Sequence, residues 1–117
     1  MASKRPKRTY CVYVIELDQA VTKTKWFTEA NPEYTGEKPC VYVGYTSKTP
    51  EQRFEEHITG ARNKRGPIHS KKVKKYGVRL RPRLYKTLQN MTEEDAKFME
   101  VEKARRLRKK GYGVWQK

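Results

Sequence analysis

The sequence predicts an α+β fold, a small three-stranded mixed or antiparallel sheet flanked by helices in the order β-β-α-α-β-α. Three observations carry this. The apolar stretch CVYV occurs twice, at 11–14 and 40–43, and is made of residues that favour strands. A third β-rich run lies at 78–88. Two segments, SKTPE at 47–51 and TEED at 92–95, carry the capping residues and acids that open helices. The length of 117 residues suits one domain, assigned to 9–117 behind a flexible basic arm at 1–8.

Along the chain, residues 9–17 form the first strand. Residues 18–38 are polar, with Asn31-Pro32 and Gly36 as turn signals. That length is long for a hairpin and reads as an insertion. Its Trp26, Phe27 and Tyr34 are expected to pack down, as an extra ribbon. Residues 39–45 form the second strand. Ser47 or Thr49 then caps a helix with Pro50 in its first turn, running to Thr59 and ending at Gly60. A basic loop at 61–67 leads to a short helix at 68–76 with Gly77 as its cap. The third strand covers 78–88, where Pro82 favours an edge or a bulge. The last helix runs from Glu93 to Lys110, with cations in its final turn and Gly111 as its end. The tail, Tyr112 to Trp115, is expected to dock on the body.

Charge bounds the function. The net charge of +15 points to a polyanionic partner, nucleic acid before membrane and DNA before RNA. No acidic residue occurs between His57 and Thr92, a span that holds Lys64, Arg65, Lys71, Lys72, Lys74, Lys75 and Arg79 among its cations. These are assigned to the phosphate backbone, with the stretch 61–86 and the arm at 4–8 as a sequence-independent track. Membrane binding would need an amphipathic helix, and HSKKVKKYG has too little apolar face for one. No apolar run is long enough to span a bilayer and no apolar segment follows the basic N-terminus, so a cytoplasmic, nucleic-acid-associated protein is expected. If the two strands pair with their tyrosines adjacent, Cys11 faces Gly44 and Cys40 faces Ile15. A disulfide is then excluded by distance, and neither thiol has the neighbours of a zinc site.

Side chains two apart on a strand share a face. Tyr13 therefore lies with Cys11 and Ile15, and Tyr42 with Cys40 and Gly44, while the valines turn the other way. Adjacent strands set the two phenols side by side. Gly44 permits a close backbone approach. Arg53 and His57, four apart, share one side of the following helix.

Here the chain resembles the GIY-YIG nuclease family. Cys11-Val12-Tyr13 stands where the family has Gly-Ile-Tyr, and Tyr42-Val43-Gly44 where it has Tyr-Ile-Gly. The run YVGYTSKTPEQRFEEH is similar to its second strand and first helix, with the motif arginine at Arg53 and the histidine of some branches at His57. The helix AKFMEVEKARRLRKKGY resembles the one that carries the family's glutamate, here Glu100. Glu100 is preferred to Glu102 because it shares a face with Ala96, Ala104 and Leu107. A carboxylate on an inward face is costly unless it binds something. The resemblance covers 9–112 apart from the insertion. It departs from the family at Cys11 and at 111–115, where many members have an asparagine.

The resemblance implies phosphodiester hydrolysis. One divalent ion, Mg²⁺ or Mn²⁺, would be held by Glu100, and Tyr42 or Tyr13 would position or deprotonate water. Arg53 would clamp the phosphate, and His57 would orient a tyrosine. Substrate selection would fall to a protein partner, a dimer or the insertion. Two other classes carry the same charge, a non-catalytic nucleic-acid-binding module of this fold and a basic assembly protein of a nucleoprotein particle.

Overall fold

The computed structural model describes residues 8–67 and 70–116. Residues 1–7 of the expected basic arm at 1–8, together with Ile68, His69 and Lys117, lie outside them, and with them the expected start of the second helix. The elements are β1 (Cys11–Leu17), a 3₁₀ turn (Gln19–Lys23), α1 (Lys25–Ala30), β2 (Cys40–Thr46) and α2 (Pro50–Thr59). They continue with a small hairpin of β3 (Arg62–Asn63) and β4 (Gly66–Pro67), then α3 (Lys71–Tyr76), β5 (Gly77–Leu80), a 3₁₀ turn (Pro82–Leu84), α4 (Glu93–Lys109) and β6 (Gly113–Gln116).

The architecture is α+β, but the main sheet has four strands, not three, in the order β5-β1-β2-β6. The addition comes from the tail. Instead of merely docking, it forms β6 and pairs parallel with β2, Val114 against Val41 and Trp115 against Tyr42. The sheet is mixed, since β1 is antiparallel to both β2 and β5.

The β1–β2 register differs from the sequence expectation. Cys11 faces Thr46, Tyr13 faces Gly44, Ile15 faces Tyr42 and Leu17 faces Cys40. The cause is steric. A methyl at Gly44 would lie 2.6 Å from Tyr13 Oη, so only glycine lets the ring cross the neighbouring strand there. Cys11 and Cys40 remain buried free thiols. The valines of both strands and Val114 are buried in the core.

The strand expected at 78–88 is cut to β5. Pro82 has no N–H to continue a ladder, and the chain turns there into a 3₁₀ segment. The remainder still follows β1: Val12 N–H donates to the Leu88 carbonyl, and Tyr10 and Met91 exchange backbone hydrogen bonds. The insertion forms α1, not a ribbon, and Phe27 enters the core with Trp26 and Tyr34 packed against it. Its Asn31 completes the outer edge of β6. The side-chain amide donates to the Val114 carbonyl at 2.9 Å, and Val114 N–H donates to Asn31 Oδ1 at 2.8 Å.

The helix signals hold closely. Thr49 caps α2 in a reciprocal capping box with Gln52, and left-handed Gly60 ends it. Thr92 caps α4, and Gly111 turns the chain after it at φ 101°. Gly77 is a different case. Its backbone is extended, and it is glycine because a methyl would meet the Val73 carbonyl at 2.6 Å. No helix among the described residues is long and apolar enough to cross a membrane.

Candidate active site

Four elements converge on a cleft of about 370 Å³ lined by Tyr10, Tyr13, Tyr42, Gly44, Tyr45, Thr46, Arg53 and Glu100. β1 supplies Tyr13, β2 supplies Tyr42, α2 supplies Arg53 and α4 supplies Glu100. The two phenol rings are 6.2 Å apart at a 44° tilt. Glu100 is only 7% exposed and sits on the buried face of α4 with Ala96, Ala104 and Leu107. Glu102 points elsewhere, paired with Arg105 and Arg106 on the surface.

His57 is not a surface histidine. It is 0% exposed, and it stands behind the phenols and not in the cleft wall. Ser70 N–H donates to its Nδ1 at 2.9 Å. A backbone N–H can only donate, so the neutral ring carries its proton on Nε2. That nitrogen is 3.0 Å from Tyr13 Oη and donates to it. Tyr13's own proton is thereby turned away from His57.

The electrostatics distinguish the two phenols. Burial, with the neighbouring Tyr42, pushes Tyr13 well above the ordinary tyrosine range, and Arg53 only partly opposes this. Tyr42 is also raised, by burial and then by the negative charge of Glu100, while Arg53 and the hydrogen bond from Tyr13 pull it down. Tyr42 is thus the phenol more readily ionised.

Sequence reasoning missed Glu56, which holds Arg53 in place. Its Oε1 accepts from Arg53 Nη1 at 3.1 Å, and Lys48 binds the other oxygen. Burial would raise the Glu56 carboxyl, but the bonds from Lys48 and Arg53 outweigh it and hold it low. The spacing of three from Arg53 was the available signal. Tyr10, Tyr45 and Thr46 were also missed as cleft walls. They flank the two motifs, and nothing in their local pattern marks them.

Of the predicted phosphate contacts, Lys64, Arg65, Lys71, Lys74 and Lys75 are exposed on the small hairpin and α3. Lys72, Lys75 and Arg79 make contacts within the chain, Lys75 Nζ lying 5.3 Å from the Tyr76 ring centre and Arg79 remaining exposed. Lys72 Nζ lies 4.5 Å from the Trp26 ring centre and 3.9 Å from that of Trp115, and Arg79 pairs with Glu16 at 3.1 Å.

Among the described residues, no group of three His, Cys, Asp or Glu side chains could enclose a metal ion. The cleft's acidic donor is the single carboxylate of Glu100. That set fits a hard cation whose other positions go to water and substrate phosphate, as for Mg²⁺, and not an all-protein cage. Compared with protein-family models, curated proteins and solved structures, the chain matches none of them.

Proposed function

We propose that the chain is a divalent-metal-dependent endonuclease of the GIY-YIG kind, acting on DNA. The observation that supports it is the meeting of Tyr13, Tyr42, Arg53 and Glu100 in one cleft, although they lie far apart in sequence on four elements. A net charge of +15 and the acid-free span before Thr92 suit a polyanionic substrate.

Arg53, braced by Glu56, offers its guanidinium to the scissile phosphate. Tyr42, once its phenol proton has gone to solvent, takes the proton of the attacking water as the water oxygen bonds to phosphorus and the P–O bond to the leaving oxygen breaks, the leaving oxygen taking a proton from solvent. Tyr13 donates to Tyr42 and stabilises its anion, and His57 keeps Tyr13 in that orientation through the tautomer set by Ser70. Glu100 would hold Mg²⁺ or Mn²⁺, which when bound relieves negative charge on the phosphoryl oxygens. A cation there would also offset the Glu100 charge, which after burial is the second cause that raises Tyr42.

The test is incubation with branched, nicked and supercoiled DNA in Mg²⁺ or Mn²⁺, wild type against Glu100→Ala. Cleavage by wild type alone is expected. A wild type that cuts none of them sinks the enzyme reading and leaves a nucleic-acid-binding module. Equal cutting by both removes Glu100 as the metal ligand.

A further inference from the structure

A second cavity of about 370 Å³ lies away from the cleft, between the insertion and the C-terminal end of α4. Its wall carries Asn31, Tyr34, Arg105, Arg108, Lys109 and Tyr112. We infer that this cavity is a nucleotide subsite, in which Arg108 and Lys109 bind a phosphate and Tyr112 stacks on the attached base.

Arg108 carries the inference. Its guanidinium is half-buried, and its two hydrogen bonds go to neutral oxygens, Asn31 Oδ1 at 3.2 Å and the Val114 carbonyl at 3.0 Å. No carboxylate lies within 4.0 Å of it among the described residues. Buried charges are ordinarily paired, and burial here depresses the Arg108 pKa. A guanidinium has five N–H donors, and two of them account for these bonds.

The helix end explains part of the cluster, because cations offset the dipole there. That compensation is worth about half a charge. The final turn alone carries Arg106, Arg108 and Lys109, with Lys110 as its cap. Glu102 pairs with Arg105 and Arg106 but with neither Arg108 nor Lys109. Glu33 is the one acid in the cavity wall, and no ion pair joins it to these cations among the described residues. The site therefore keeps a net positive charge.

The aromatic wall favours a nucleotide over a bare anion. Tyr34 and Tyr112 stand beside the cations, with Lys38 Nζ a further cation 5.8 Å from the Tyr112 ring centre, the combination that tracks single strands. The volume is within the range of small-ligand pockets. Arg108 is eight residues beyond Glu100 on the same helix, a rise of about 12 Å along its axis at 1.5 Å per residue.

The substrate class rests on the nuclease reading, and the experiment separates the two. Adenosine 5′-monophosphate and inorganic phosphate are titrated separately into the full chain, with the Arg108 Nε–H and the Tyr112 ring followed by NMR. Adenosine monophosphate should shift both, and phosphate the arginine alone. Lys109→Gln combined with Tyr112→Leu should weaken dodecathymidylate binding about tenfold while the melting temperature holds. Neither signal moving with adenosine monophosphate overturns the subsite, even if the chain cuts DNA. Phosphate reproducing every shift overturns the nucleoside contact. Shifts from adenosine monophosphate in a chain that cuts nothing support the subsite and count only against the nuclease.

Discussion

Tyr13 lies across Gly44 so closely that a single methyl on the glycine would come within 2.6 Å of the phenol oxygen. This contact sets the strand register and, with it, the diagonal that brings Tyr13 to Tyr42. Gly44→Ala should therefore destabilise the chain by about 1–3 kcal/mol, as other overpacked cores do. Urea unfolding measures the loss, and the near-ultraviolet dichroism of the tyrosines should change with it. An alanine variant of native stability and spectrum would place the register under other control.

His57 should be found as the Nε2–H tautomer, with Nδ1 unprotonated, by nitrogen NMR of the ring. Replacing it with phenylalanine strands the Ser70 N–H and removes the Nε2 donor from Tyr13 Oη. The cost should be about 1–3 kcal/mol for the orphaned groups, read by urea unfolding. A protonated Nδ1 would break the relay through Tyr13.

The buried phenols predict an alkaline limit to stability. Tyr13, Tyr42 and Tyr85 all have folded pKa values above the ordinary 10.0, and that of Tyr85 reaches about 12. Above pH 10 the unfolded chain loses these protons and the folded chain keeps them. The unfolded state then binds fewer protons, so stability falls as pH rises. Below pH 10 their contribution is complete. Urea unfolding at stepped pH should show the decline beginning near 10, and a curve flat up to 12 would contradict the burial of these groups.

Glu100→Gln removes the charge that raises Tyr42, so the Tyr42 phenol should titrate at lower pH in an ultraviolet difference titration. Glu102→Gln should leave that titration unchanged, because its carboxylate serves Arg105 and Arg106 on the surface. It should also leave any cleavage intact.

Asn31→Ala uncovers the outer edge of β6, where one side chain now supplies two bonds to Val114. A loss of about 1–3 kcal/mol is expected. Amide exchange at Val114 should quicken more than exchange at Val43, which lies in central β2.

Much of this was legible because its causes are local. Strand parity put Tyr13 and Tyr42 on matching faces of their strands, helix spacing set Arg53 and His57 one turn apart, and the α4 pattern turned Glu100 inward; their selection as a candidate site came from the resemblance to the GIY-YIG family. The rest depended on distant neighbours. The register turns on one glycine meeting one ring across two strands. The fourth strand comes from four residues that become a strand only beside β2 and Asn31. The depth of His57 is fixed by how α2 lies against β1 and α3, which no spacing along α2 encodes. Glu56 was visible three residues from Arg53, but a helix surface holds many such pairs and only the cleft shows which one matters.

Both tryptophans of the chain, Trp26 and Trp115, meet at the ammonium of Lys72. Intrinsic fluorescence is therefore a one-site signal. It reports the corner where α1, α3 and β6 touch, one strand away from Tyr42 of the cleft. A polyanion that draws Lys72 off the indoles would shift that emission without any label, whereas one held only by the exposed lysines of α3 would leave it unchanged.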